Sequence, residues 1–184
     1  MVGDGPFLWI NETGPPSGFR RPPPGGMCLS AFLFVRRGVE ILLGKYGDDP
    51  RWEALAGLDD AWRSMHAGGW TIPARQMKFG EDPRDAAQSI ATDMLRLSSH
   101  AIRGPRVEVD LYESRRSPGN QHYDVWFLFE TDVPAGALVE RPPWYAALGW
   151  HDPRALPASA FARGHQDVVA RWLAPPRDGD PGTG

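Results

Sequence analysis

One cysteine, Cys28, occurs in 184 residues. A single thiol excludes an internal disulfide framework and a cysteine-built zinc cluster, and its place in an apolar run makes a small buried side chain its expected role. No stretch approaches the roughly 18 consecutive apolar residues of a membrane span, and residues 1–27 hold no apolar core of signal-peptide length. The expectation is a cytoplasmic protein with no membrane partner. Clustered positive charge is also missing: 20 Lys plus Arg against 23 Asp plus Glu give a net charge of −3. Phosphate-backbone neutralisation needs such clusters, so nucleic acid is not an expected partner. His66, His100, His151 and His165 show neither an i, i+4 nor a His-x-His spacing, and so carry no zinc signal.

Glycine and proline, by contrast, number 21 and 19. Many lie in residues 14–26 and 175–184, so residues 1–26 and 175–184 read as tails around one domain, residues 27–174. Hydrophobic residues make up 41% of the chain, enough to close the core of a domain this size. Phe7-Leu8-Trp9-Ile10 is an apolar patch in the first tail and is expected to pin it to the body.

Residues 28–35 and 39–43 read as strands flanking Arg36-Arg37-Gly38, a hairpin signal. Asp48-Asp49-Pro50 then predicts a helix whose apolar stripe is Trp52, Leu55, Leu58, Trp62 and Met65, ended by Gly68-Gly69. Residues 70–77 read as a short strand and loop. Gly80-Glu81-Asp82-Pro83 starts a second helix to about Leu97, with Ala86, Ile90 and Met94 in one i, i+4 row and Ala87, Ala91 and Leu95 in the next. Residues 106–113, where Val107, Val109 and Leu111 alternate with charged neighbours as on a half-buried strand, and residues 123–129 read as a second hairpin turned at Ser117-Pro118-Gly119-Asn120, and residues 158–173 as a last helix stopped by Pro175-Pro176. Strands and helices mixed in this order predict an α/β sandwich with a mixed β-sheet.

The segment from Gly69 to Ala87, with Trp70-Thr71-Ile72-Pro73, Gly80-Glu81 and Ala86-Ala87, resembles the Nudix superfamily, in which Trp-x-hydrophobic-Pro-Gly-Gly leads to Gly-Glu and a helix with an Ala-Ala pair. Residues 30–45 look like that family's first hairpin, and Trp150-His151-Asp152-Pro153 followed by a helix with Gly164-His165 is similar to its last segment. The resemblance covers residues 28–174 and implies a Nudix-like α/β/α sandwich. The family's box, anchored on Glu81, is Gly, five residues, Glu, seven residues, Arg-Glu-apolar-x-Glu-Glu-x-Gly. Arg75 then stands for its first Gly, Ser89 for Arg, Ile90 for Glu, Asp93 and Met94 for the Glu pair, and Arg96 for the closing Gly.

In that family the helix carboxylates hold Mg²⁺, a hard cation that takes oxygen ligands and bridges to substrate phosphates. Here only Glu81 and Asp93 are acidic at box positions, so the resemblance implies weak Mg²⁺ or Mn²⁺ binding through Asp93 at most. Glu81, Asp93 and Glu113 are the candidate catalytic acids; each is equally well explained as a helix-start or solvated residue, as are His122 and Asp124 on the second hairpin. Trp52 and Trp62 are candidates for stacking on a base and Arg75 for contacting the ligand, with core packing the simpler role of the tryptophans. Three readings follow: a binder of a nucleotide-like or phosphorylated small molecule on a degenerate box, an active or repurposed enzyme cleaving a nucleoside diphosphate-linked substrate, and a non-catalytic interaction module. A homodimer is compatible with all three.

Overall fold

The computed structural model describes residues 26–56, 60–78, 80–97, 100–113 and 119–175. The Phe7 to Ile10 patch, the two tails apart from Gly26 and Pro175, Leu58, and Ser117-Pro118 of the expected turn lie outside these residues. Strand β1 (Met27–Arg37) and β2 (Glu40–Tyr46) form the predicted hairpin around Gly38, whose positive φ of 64° suits a residue without a Cβ. β3 (Trp70–Thr71) and β4 (Ala74–Gln76) are short and pair with β2 and β1 respectively. β5 (Arg103–Glu113) and β6 (Gln121–Asp132) form the second predicted hairpin, and β6 runs parallel to β1. With β7 (Tyr145–His151) on β2, the result is one seven-stranded mixed sheet of order β3-β2-β1-β6-β5, the α/β architecture expected.

β1 is central, and residues 30–35 are buried on both faces, which is why they read as a continuous apolar run and not as an alternation. On one face Ala31, Leu33, Val35 and Phe129 meet helix α3 (Pro83–Ser89) and the π-helical turn Ile90–Met94. Asp82 caps α3 by accepting from the Arg84 N–H at 2.7 Å, and Pro83 supplies a preset φ at its first position. Ala86, Ala87, Ile90, Ala91, Met94 and Leu95 are all buried, so both predicted apolar rows face the core. The helix ends earlier than Leu97, because the Leu95 N–H reaches back five residues to the Ile90 carbonyl at 3.1 Å and widens the last turn. On the other face Phe32, Phe34, Ile41, Leu43, Trp126 and Leu128 meet helix α4 (His165–Leu173), with the rings of Phe34 and Trp172 stacked at 4.4 Å. Among the described residues no helix is long and apolar enough to cross a membrane.

Four expectations are corrected. In place of one helix after Pro50 there are two short ones, α1 (Arg51–Ala56) and α2 (Asp60–His66). Trp52 is buried, but Met65 is 70% exposed and Arg63 is the buried member, bonded to Asp48 and Asp60. The predicted stripe therefore stops short of Met65. β7 is an added strand: Tyr-Ala-Ala-Leu-Gly-Trp-His has no β-branched residue, and its strand form comes from pairing with β2, where the Tyr145 ring fills the place a Cβ on Gly44 would take, at 2.5 Å. The last helix starts at His165, because Arg163 and Gly164 adopt positive φ values of 58° and 73°, and Ala158–Ala160 form a single 3₁₀ turn. Finally, β5 is inverted. Val107, Val109 and Leu111 face solvent while Glu108 is buried at 3% exposure, held by Arg106 at 2.7 Å and by Arg171 of α4 at 3.2 Å.

The tight seat of Ala91, 3% exposed between the turn and the sheet, leads to a prediction. Ala91→Leu should overpack the site and destabilise the protein by about 1 to 3 kcal/mol. Melting of the variant within a degree of wild type would show that the face has room to spare.

Candidate functional site

β4 brings Arg75 opposite Ala31 of β1, and the chain then turns through Gly80 into the start of α3, which places Glu81 beside it. Arg75 Nη1 donates to Glu81 Oε2 at 3.0 Å, and Nη2 makes a close contact with Oε1, so the pair is bidentate. The Lys78 N–H donates to the same Oε2 at 2.8 Å, and Arg75 Nη1 also donates to the Gln76 carbonyl at 3.0 Å. Burial pushes the Glu81 carboxyl up, but the Arg75 and Lys78 hydrogen bonds and their charges outweigh it and hold the group below its ordinary value of 4.5. A carboxylate held in this way is a weak proton acceptor, and three donors already occupy most of its lone-pair sites.

The other proposed acids stand apart from this pair. Asp93 is exposed, its Oδ1 accepting from the neighbouring Thr92 hydroxyl at 3.0 Å. Glu113 is exposed at the end of β5, and its Oε1 accepts from the Gly119 N–H at 2.8 Å, which makes it a closure of the hairpin. Arg75 is engaged by Glu81 in place of a ligand. Trp52 is not placed for stacking on a base: it is 2% exposed, its ring lying on Tyr46 at 4.5 Å and edge-on to Tyr145 at 5.4 Å. Trp62 has its backbone in α2, and its side chain lies outside the described part of the structure. His122 and Asp124, for which alternation allowed exposure, are buried and half-buried, because β6 is an interior strand between β1 and β5. His165 is also buried; the Ile72 N–H donates to its Nδ1 at 3.0 Å, and burial, with Arg163 and His66 adding, drives its pKa well below 6.5.

The donor set does not fit a divalent cation. On the helix face the positions aligned with the family's carboxylates are Ile90, 0% exposed in the core, and Met94, 7% exposed, neither of which offers a hard oxygen. The π-helical turn also changes the angular spacing around Asp93, so residues three and four apart no longer share one face as they would on an α-helix. Among the described residues no group of three or more His, Cys, Asp or Glu side chains is arranged to hold a metal ion. The burial of Ile90 was legible as periodicity; the commitment of Glu81 to Arg75 was not, because residues six apart meet only through the β4 turn.

Two predictions follow from this geometry. Folding lowers the Glu81 carboxyl, so the pair stabilises the fold at neutral pH, and that contribution is lost as pH falls below the ordinary value of 4.5 and through the lowered one. Wild type should therefore lead Glu81→Gln in urea denaturation at pH 7 by more than at pH 3; an equal lead at both would remove the ion pair from the account. Ile90→Glu, which buries a carboxylate against Ala31 and Leu33, should cost several kcal/mol, roughly the cost of an unpaired buried charge, with no recovery of melting temperature in Mg²⁺.

No family model matches the chain, and no curated protein matches it. Among solved structures it is similar to the MutT protein of Methanosarcina mazei Go1 (12% identity, TM-score 0.54, covering 84% of this chain and 96% of that one). It is also similar to the NUDIX domain of Shewanella oneidensis NrtR complexed with ADP ribose (12%, 0.52, 87% and 92%). A third is a bifunctional NMN adenylyltransferase/ADP ribose pyrophosphatase from Francisella tularensis (13%, 0.51, 82% and 42%), of which the chain spans less than half the length. The chain has the Nudix fold.

Proposed function

We propose that this Nudix-fold chain binds a nucleotide-like or phosphorylated small molecule without the metal-dependent hydrolysis usual for the fold. The observation that carries the reading is the helix face: its aligned carboxylate positions are filled by buried Ile90 and Met94, and the one retained box glutamate, Glu81, is tied to Arg75. Support for the ligand class comes from the neighbours, the Shewanella domain holding ADP ribose and the Francisella protein having also been solved with AMP and a manganese ion. Residues 27–174 are the unit that would carry this binding.

Without a clamp on the metal, a water molecule has no strong source of activation here, and the acids that remain do not converge on one point. Hydrocarbon at 90 and 94 serves the sheet instead, where each buried side chain contributes to stability.

A ligand that binds only the native state raises its melting temperature. ADP ribose and AMP should do so for the full chain by the same amount with and without Mg²⁺, and no product should accumulate on incubation. Tight Mg²⁺ binding by calorimetry that vanishes in Asp93→Ala, together with product release, would reinstate the hydrolase reading.

A further inference from the structure

β5 is the last strand of the sheet, and among the described residues it pairs only with β6. The Tyr123 N–H donates to the Gly26 carbonyl at 3.1 Å, so the backbone groups of Tyr123 point to β1, and those of His122, Asp124 and Trp126, at alternate positions, point to β5. Their register partners Tyr112, Asp110 and Glu108 point back. The N–H and C=O groups of Val107, Val109 and Leu111 therefore face away from the sheet. A side-chain bond agrees with this direction: Arg171 Nη1 of α4 donates to the Val109 carbonyl at 3.3 Å.

The same three residues carry exposed side chains. Val107, Val109 and Leu111 are 52%, 47% and 48% exposed on the α3 side, and their partners on β6 are Phe127, Val125 and Tyr123. Two adjacent strands thus present an unbroken apolar face at the rim of the sheet. Natural proteins blunt such a rim with lysines, prolines or a very short strand. β5 has 11 residues and no lysine, and its one proline, Pro105, lies near its start. A long apolar strand with open backbone groups is a template for another strand.

Charge identifies that strand. Outward backbone groups occur at every second position, so two copies of β5 can pair antiparallel only in registers that set odd-numbered residues opposite odd-numbered ones. With the twofold axis at Glu108, Arg106 stands opposite the partner's Asp110, Val107 opposite the partner's Val109 and Pro105 opposite the partner's Leu111, and symmetry makes each contact twice. Pro105, which has no N–H, falls at the end of the overlap, where the register of β5 on β6 also shifts, between Arg103 and Arg106. An axis at Val109 would set Glu108 opposite the partner's Asp110, twice, and like charges so placed oppose pairing. An axis at Val107 would set Leu111 against the irregular start of the partner's strand. The two Glu108 carboxylates that meet on the chosen axis are each answered within their own copy, by Arg106 at 2.7 Å and Arg171 at 3.2 Å.

We infer that this chain forms a twofold dimer in which β5 pairs antiparallel with β5 of a second copy, centred on Glu108, so that the two sheets join edge to edge. Val107 and Val109 then pair across the axis on the α3 side, and Arg106 and Asp110 across it on the α4 side. This assembly does not depend on the ligand proposed above.

The test is analytical sedimentation of the full chain over a range of concentrations, for wild type, Val109→Lys and Val107→Pro. Wild type should be dimeric at micromolar concentrations. Val109→Lys sets a charge beside the partner's Val107, and Val107→Pro removes an outward N–H while leaving the bonds to β6 in place, which is the position natural edge strands allow a proline. Each substitution enters the interface twice, so each should weaken the dimer about tenfold or more. Val109→Lys, at a half-exposed site, should melt near wild type when both are dilute enough to be monomers, and it decides the matter if Val107→Pro does not fold. The register has its own readout. Under mild oxidation, Val107→Cys and Val109→Cys chains should cross-link with each other faster than either does with itself, since only 107 and 109 stand opposite; wild type, with Cys28, sets the background. A monomer at every concentration, a dimer unmoved by Val109→Lys and Val107→Pro, or cross-linking of either cysteine variant chiefly to itself overturns the inference. A monomer that Val109→Lys also destabilises would assign the edge to a segment of this same chain instead.

Discussion

The parallel pairing of β1 with β6, unbroken from Met27 opposite Tyr123 to Arg36 opposite Asp132, is the constraint on which the rest of the molecule depends. A parallel pair cannot be joined by a tight turn, so residues 38–120 must carry the chain from the end of β1 back to the start of β6. That crossover holds β2, both short helices, β3, β4, α3 and β5. β1 is covered on both edges, by β2 and β4 on one and β6 on the other, and on both faces, by α3 and α4, which makes Ala31, Leu33, Phe34 and Val35 inaccessible to solvent. The short stretches β3 and β4 have little stability of their own and exist as attachments to this central pair.

The helix that follows β4 shows how packing and chemistry compete for one surface. Ala86 and Ala87 let α3 lie close against β1, and Ile90, Ala91, Met94 and Leu95 continue the same buried face through the π-helical turn. A carboxylate at 90 or 94 would have to be desolvated, which is tolerable only with a cation beside it. With hydrocarbon there, the segment gains core stability and gives up hard oxygen donors. Glu81, left without such company, is satisfied by Arg75 and the Lys78 amide, a structural anchor that ties β4 to the start of α3.

Charge is arranged on the α4 side in two different states. Glu108 is buried but answered by Arg106 and Arg171, so its position is explained by the fold alone. Asp124, two strand positions further along the same face, has one oxygen that nothing described answers.

Local pattern determined much of this protein. The Gly38 turn, the capped start of α3 at Asp82-Pro83, the two apolar rows from Ala86 to Leu95 and the β5–β6 hairpin are each set by residues within a few positions of one another, and so were readable in the sequence. The resemblance to the Nudix box likewise lay in short runs around Trp70 and Glu81, and the fold agrees with it. Only the tertiary structure decided which side of β5 is buried, since an alternation of Val107, Glu108 and Val109 is symmetric until Arg106 and Arg171 meet the acid. It alone made a strand of Tyr145 to His151, turned Arg63 and not Met65 inward, and joined Arg75 to Glu81. Each of those outcomes depends on partners distant in sequence or brought round by a turn, and on whether a polar group finds its match once water is removed, which no local periodicity encodes.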